Sequence, residues 1–238
     1  MKKFLLIFPT VFEAAPAFAA LGGTKKARLG ETAHSADGTI TALVAGIGCD
    51  ASVKRVEAAL QKSAPDFAIL AGFCGACTAA QKNGDFVFET ESGKLALLAE
   101  SLGGIRGKIA TVEKIADSRK KAELGGRGFA GVDMEGGLFE KAADAAEVPF
   151  GHFRWVSDSL ESDIPPSFFE STMDRETGGL EVSILKTAAA IIGAPSLLPK
   201  LARFGAEIAP AKKKYARDIA AMISKIGGGN EIRPQKNE

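Results

Sequence analysis

Cysteine, histidine, charge of one sign and long apolar runs are all scarce in this 238-residue chain, and each shortage removes a class of protein. Three cysteines, an odd number, give no disulfide framework of the kind a small exported domain uses. The two histidines, His34 and His152, and Cys49 are scattered without ligand spacing, so no metal is expected. Lys and Arg total 30 against 29 Asp and Glu, a net charge of +1, which lacks the basic footprint of a nucleic-acid binder. A small molecule or another subunit is the expected partner. After the N-terminus no uninterrupted apolar stretch reaches the roughly 20 residues of a membrane span. "KTAAAIIGAPSLL" comes nearest and is broken by Gly193 and Pro195, so stable membrane insertion is not expected. No linker, charge block or internal repeat divides the chain. One domain is therefore predicted over residues 1–226, with a Gly-led polar tail, 227–238, left without fixed structure.

What is present is a globular composition, 46% hydrophobic and 25% charged, able to bury a large core. Apolar runs rich in β-formers alternate with amphipathic stretches. "TITALVAGIG", "DFAILAGFCGAC", "GDFVFET", "GIRGKIATVEKI" and "VPFGHFRWVSD" read as strands. "DASVKRVEAALQKS" and "GGLFEKAADAAE" read as helices, and "ETGGLEVSILKTAAAII" begins a mostly helical C-terminal third. Such alternation predicts an α/β fold of three layers, helices on both faces of a central, largely parallel mixed sheet. Function is then expected where strands end in loops.

The opening "MKKFLLIFPTVFEAAPAFAA" scans like a secretory signal, but Pro9 in its middle and Glu13 near its end suit that reading poorly. "KKFLLIF" instead suits a short buried strand that ends in a turn at Pro9-Thr10. Cleavage after Ala19 would discard Glu13.

Three other motifs have plain structural readings. "GIGCDA" fits a dinucleotide fingerprint, yet Asp66 precedes its strand and would lie at the wrong edge of the sheet, so close packing of a helix on a strand accounts for the glycines. "CGAC" could be a thiol redox pair, Cys74 and Cys77, or structural cysteines in a turn; the second is favoured. "PAKKKYARD" reads as a solvated helix face.

The informative stretch is "AGVDMEGGLFEKAADAAEVPFGHFRWVSDSLESDIPPSF". Asp133-Met134-Glu135 stands between a small-residue strand and a helix, and a later strand ends in Ser157-Asp158. Neighbouring parallel strands would bring Glu135 and Asp158 to one edge of the sheet. Either carboxylate alone reads more simply as a cap or a solvent-facing group.

Taken together, "VDMEGG…EVPFGHFRWVSDSLESD", "AGIGCDAS", "AGFCGACTAAQKNGDFVF" and "FPTVFEA" resemble, in order, the signature of the purine nucleoside phosphorylase and nucleosidase superfamily. The branch in question contains 5'-methylthioadenosine/S-adenosylhomocysteine nucleosidase. "FPTVFEA" resembles the family's first strand and a loop carrying a glutamate. The C-terminal "GAPSLLPKLARFGAEIAPAKKKYARDIAAM" and the "LESDIPPSF" loop further resemble the hopanoid-associated members.

The resemblance implies cleavage of an N-glycosidic bond, with Asp158 as general acid at purine N7 and Ser157 orienting it. Glu135 would accept hydrogen bonds from the ribose hydroxyls and Met134 would pack on the sugar. Glu13 would activate water, and Cys74 and Gly75 would lie in the loop beside base and ribose. It implies no cofactor, a cytoplasmic homo-oligomer, and a 5'-modified adenosine as substrate, with an adenosyl lipid precursor, methylthioadenosine and futalosine-type nucleosides as candidates. The futalosine branch tends to carry Asn where this chain has Asp158. The "FPTVFEAAPAFAAL" segment lacks the arginine a phosphate site needs, and Arg28 and Arg106 sit in no recognisable phosphate loop, so hydrolysis is expected over phosphorolysis. A phosphorylase, a thiol redox protein and a non-catalytic nucleoside binder are the alternatives.

Overall fold

The central strand β1 (Phe4–Phe8) is buried along its whole length. Successive side chains of a strand point to opposite faces, so an unbroken apolar run must be covered on both. Phe4, Leu6 and Phe8 pack into one core with α1 (Val11–Ala20), α3 (Gly93–Glu100) and the C-terminal α6 (Leu197–Gly227). Leu5 and Ile7 pack into the other with α2 (Asp50–Ser63) and α5 (Gly136–Ala145). This three-layer arrangement comes from a computed structural model, which describes residues 1–22, 27–161, 174, 176–179 and 197–228. Each fully buried Leu, Ile or Phe contributes about 1.5–3 kcal/mol relative to exposure.

The remaining elements are β2 (Thr32–His34), β3 (Ile40–Val44), β4 (Phe67–Ala76), β5 (Phe86–Glu89), β6 (Ile105–Arg106), β7 (Lys108–Thr111), α4 (Ser118–Gly126), β8 (Phe129–Asp133) and β9 (Phe150–Asp158). The sheet runs β2-β3-β1-β4-β9-β5-β6, with β8 on the end of β4 and β7 on β8. β1 is parallel to β3 and β4, and β4 to β9, whereas β5 is antiparallel to β9. The expected mixed α/β sheet is therefore present. The expected helices at "DASVKRVEAALQKS" and "GGLFEKAADAAE" are α2 and α5.

Three expectations need correction. "GIRGKIATVEKI" is two strands, β6 and β7, parted at Gly107, where a Cβ would come within 2.6 Å of the Ala130 Cβ. The segment after Pro9 is helix α1 rather than a loop; Thr10 caps it, taking the Glu13 N–H on its hydroxyl at 3.3 Å. β8 and β9 are not neighbours. β4 runs between them, and its residue Gly75 faces Val132 of β8 and, past an irregularity in register at Cys74/Gly75, Asp158 of β9. The bulged end of β4 thus gathers the two strand ends. The "LESDIPPSF" loop beyond residue 161, most of "ETGGLEVSILKTAAAII" and the tail from 229 lie outside the described residues.

Asp66 sits at the N-terminal edge of the sheet, bound to Lys2 and the Lys3 amide, far from strand C-termini. Gly48 of "GIGCDA" abuts the Met134 carbonyl so closely that any Cβ would collide with it. The polar run "PAKKKYARD" lies on α6, with Lys212 and Lys213 outward, while Tyr215 and Asp218 turn into the protein. Among the described residues, no helix is long and apolar enough to cross a membrane.

Candidate active site

A cleft of about 240 Å³ opens at the C-terminal ends of β1, β4, β8 and β9. Glu13, Cys74, Gly75, Met134, Glu135, Ser157 and Asp158 all line it, joined by Thr10, Phe73, Lys121 and Asp133.

Glu13 stands in the first turn of α1, and the cap that starts the helix also aims its carboxylate. Thr10 donates its hydroxyl to Glu13 Oε2 at 2.6 Å, and the Phe73 amide donates to Oε1 at 2.8 Å. Burial raises the Glu13 pKa above the usual carboxylate range, against the opposing pull of Arg154 and these hydrogen bonds. The spacing T-x-x-E is a helix-start signal in its own right.

Beneath the cleft lies a charged cluster that the sequence reading passed over. Arg154, fully buried in mid-β9, donates to Asp133 at 2.5 and 3.0 Å and to Glu135 at 2.9 Å. Its remaining Nη1 has no hydrogen-bond partner and points toward Glu13: a Cβ on Gly72 would lie 2.6 Å from Nη1 and 2.5 Å from Glu13 Oε1. Two carboxyl groups therefore pair with one guanidinium, and a third, Glu13, feels its charge. Burial alone would raise Asp133, but the Arg154 charge, the His152 charge and the hydrogen bonds from Thr111 and Arg154 together outweigh it and hold that carboxyl below its ordinary range. Glu135 is pushed up to about 8 by burial, with the Asp133 and Glu13 charges adding to the effect and Arg154 opposing it. Such a cluster retains a proton near neutrality because one cation cannot balance three buried anions. An arginine between Phe153 and Trp155 in a buried strand was the available signal, since a buried charge needs partners.

Asp158 ends β9 and keeps 20% of its side chain exposed. Ser157 donates its hydroxyl to Asp158 Oδ1 at 2.6 Å and also lies 3.1 Å from the Cys74 carbonyl. The other oxygen, Oδ2, is taken by the Nζ of Lys121 from α4. Neither Lys121 nor α4 stood out in the sequence.

Cys74 and Cys77 are both buried. Burial pushes the Cys74 thiol far up and the Cys77 thiol up to about 11, the reverse of what thiol exchange requires. Among the described residues no cluster of His, Cys, Asp and Glu could hold a metal ion. Arg106 is engaged elsewhere, donating to the Thr90 carbonyl at 3.0 Å and lying over the Phe88 ring. Arg28 lines a neighbouring hollow with Pro9 and Thr10.

No protein-family model matches this chain, and neither does any curated protein. Solved structures do. The 5'-methylthioadenosine/S-adenosylhomocysteine nucleosidase of Campylobacter jejuni superposes with a TM-score of 0.65 at 17% identity, covering 94% of this chain and 100% of the other. This chain shares that protein's fold. Futalosine hydrolase of Helicobacter pylori gives 0.65 at 14% identity over 94% and 98% of the two chains. The Streptococcus pneumoniae methylthioadenosine nucleosidase, solved with a transition-state inhibitor, gives 0.64 at 20% over 93% and 98%. These neighbours are hydrolases of nucleosides, and none is similar enough in sequence to carry its substrate over.

Proposed function

We propose that the protein is a purine N-glycosidase that hydrolyses a 5'-modified adenosine to free base and a ribose derivative. The observation that carries this reading is the single cleft lined by Glu13, Met134, Glu135, Ser157 and Asp158 in a fold shared with nucleosidases. Cleavage leaves positive charge on the sugar and negative charge on the departing base, so catalysis needs an acid for the base and an anion-rich surround for the sugar. Asp158, oriented by Ser157, passes a proton to N7. Glu135 accepts from the ribose hydroxyls while Met134 packs on the ring. Glu13 takes a proton from water as the water adds to C1'. The backbone of Cys74 and Gly75 borders base and ribose.

Water is favoured over phosphate as nucleophile because Arg154, paired with Asp133 and Glu135, is buried beneath the cleft rather than lining it, and Glu13 would repel an anion. The same reading keeps β1 in the working protein, since β1 is central to the sheet and leads into Glu13, and places a homo-oligomer in the cytoplasm. The hopanoid-associated subdivision rests on sequence segments alone.

The test is chromatography of free base from 5'-deoxyadenosine, methylthioadenosine and inosine, with and without phosphate. Release without phosphate that Asp158→Asn abolishes is the expected result. Release only with phosphate would make the protein a phosphorylase, and no release from any of the three would overturn the reading.

A further inference from the structure

Lys121 is 2% exposed, and a lysine is almost never buried to that degree without a partner. Its partner is the carboxylate at the base end of the cleft: Nζ donates to Asp158 Oδ2 and, at 3.0 Å, to the Ser159 carbonyl. The site is built to admit it. A Cβ on Gly75 would lie 2.9 Å from Lys121 Cε and 3.2 Å from Asp158 Oδ2, so the absence of a side chain there makes room for the pair. Lys121 itself lines the cleft.

With Ser157 donating to one oxygen of Asp158 and an ammonium to the other, this carboxylate sits among donors in the substrate-free protein. The proton that Oδ2 faces is therefore one carried by Lys121. An ammonium group keeps its proton through the pH range in which a carboxyl has lost it, and the purine becomes a strong base only as its bond to the sugar breaks.

We propose that Lys121 supplies the proton leaving with the base, Asp158 being the conduit. The proposal rests on the glycosidase reading. As the C1'–N9 bond breaks, its electron pair goes to the base. An N–H bond of Lys121 breaks as an O–H bond forms on Asp158, and that same proton then passes from Asp158 to N7. Water adds to C1' and gives its proton to Glu13. Lys121 ends as a neutral amine, Asp158 as a carboxylate and Glu13 as an acid, so charge is conserved, and solvent returns the Glu13 proton to Lys121 after products leave.

The experiment compares two substrates of one sugar: methylthioadenosine, whose base needs a proton to depart, and the 4-nitrophenyl glycoside of 5-methylthioribose, whose leaving group does not. In Lys121→Met, kcat for methylthioadenosine falls about 100-fold or more, the usual worth of a general acid, while nitrophenol release falls less than about fivefold. Lys121→Arg keeps the ion pair but holds its proton, and shows the same split. Parallel loss on both substrates, or restoration of nucleoside cleavage by arginine, would overturn the proposal and leave the glycosidase reading standing. A wild-type protein that cleaves neither substrate would overturn both.

Discussion

Tyr215 donates its hydroxyl to the main-chain carbonyl of Glu13 at 2.8 Å, across 202 residues of sequence. The bond ties the C-terminal helix to the first turn of α1, where the proposed water-activating carboxylate begins. One turn of α6 later, Asp218 accepts the Trp155 indole N–H at 2.9 Å, so the same helix also grips β9 next to Arg154. α6 therefore braces both α1, which carries Glu13, and β9, which carries Asp158. Tyr215→Phe removes one buried hydrogen bond from a helix carbonyl, a cost of about 0.5–1.5 kcal/mol. We expect a lower denaturation midpoint and a several-fold lower kcat with little change in KM, because Glu13 is loosened while the ribose contacts remain. An unchanged kcat beside a lowered midpoint would make α6 a purely structural brace.

Among the described residues, Arg154 alone forms ion pairs with Asp133 and Glu135, and Glu13 also feels its charge. Arg154→Met would leave three carboxyl groups buried without it, and breaking such a pair from one side costs about 3–5 kcal/mol. The variant should be most stable in mild acid, where the carboxyls take up protons, and lose stability as pH rises through neutrality. Denaturant titrations at pH 5.5 and 8 would show it. A variant equally stable at both would mean that the carboxyls do not depend on Arg154.

Much of this was legible from pattern alone, because β1, β3, β4 and β9 lie in apolar runs of strand length bounded by turn residues. α2 and α5 declare themselves by period. α1 does not: Pro9 and Pro16 bracket Glu13 and give the stretch the look of a loop, although Thr10 with Glu13 is a helix-start pair. The seven residues named from resemblance do line one cleft, but by a route that neighbouring strands would not provide. β8 meets β9 only through the bulged end of β4, and register irregularities leave no mark in composition. Lys121 was invisible for a related reason, since a lysine in a short polar helix looks solvated until its partner is found.

Gly48 offers a test of how tightly the ribose end of the cleft is fixed. Any Cβ there would strike the backbone carbonyl of Met134, which cannot rotate away as a side chain could. Gly48→Ala should displace the β8–α5 junction that carries Met134 and Glu135, lowering kcat/KM by about 10-fold or more, as small misplacements of binding groups do. Gly93→Ala, at the start of α3 with open space around it, is the control and should be neutral or slightly stabilising. Equal activity in the two variants would show that the junction yields without cost.

His152 gives the fold a pH dependence whose sign can be worked out. Its ring is buried beside Phe150, neither ring nitrogen has a hydrogen-bond partner, and the nearest carboxylate, Glu140, is 3.7 Å away. Burial lowers its pKa to about 4, with the Asp133 charge opposing and Arg154 adding to the shift. The unfolded chain, with a histidine near 6.5, binds the proton first. The stability that comes from keeping this ring neutral is thus complete above about pH 6.5 and is lost as pH falls toward 4, by about 3 kcal/mol in all. Glu135 has the opposite sign: raised to about 8, it favours the folded state in acid and loses that contribution as pH rises toward 8. The two slopes overlap in the wild-type curve, so single variants must separate them. His152→Leu should gain on the wild type progressively from pH 6.5 down to 4, and Glu135→Gln should gain from pH 5 up to 8. A His152→Leu difference that stays flat between pH 6.5 and 4 would mean that the buried ring finds a partner for its proton, with Glu140 the carboxylate to test next.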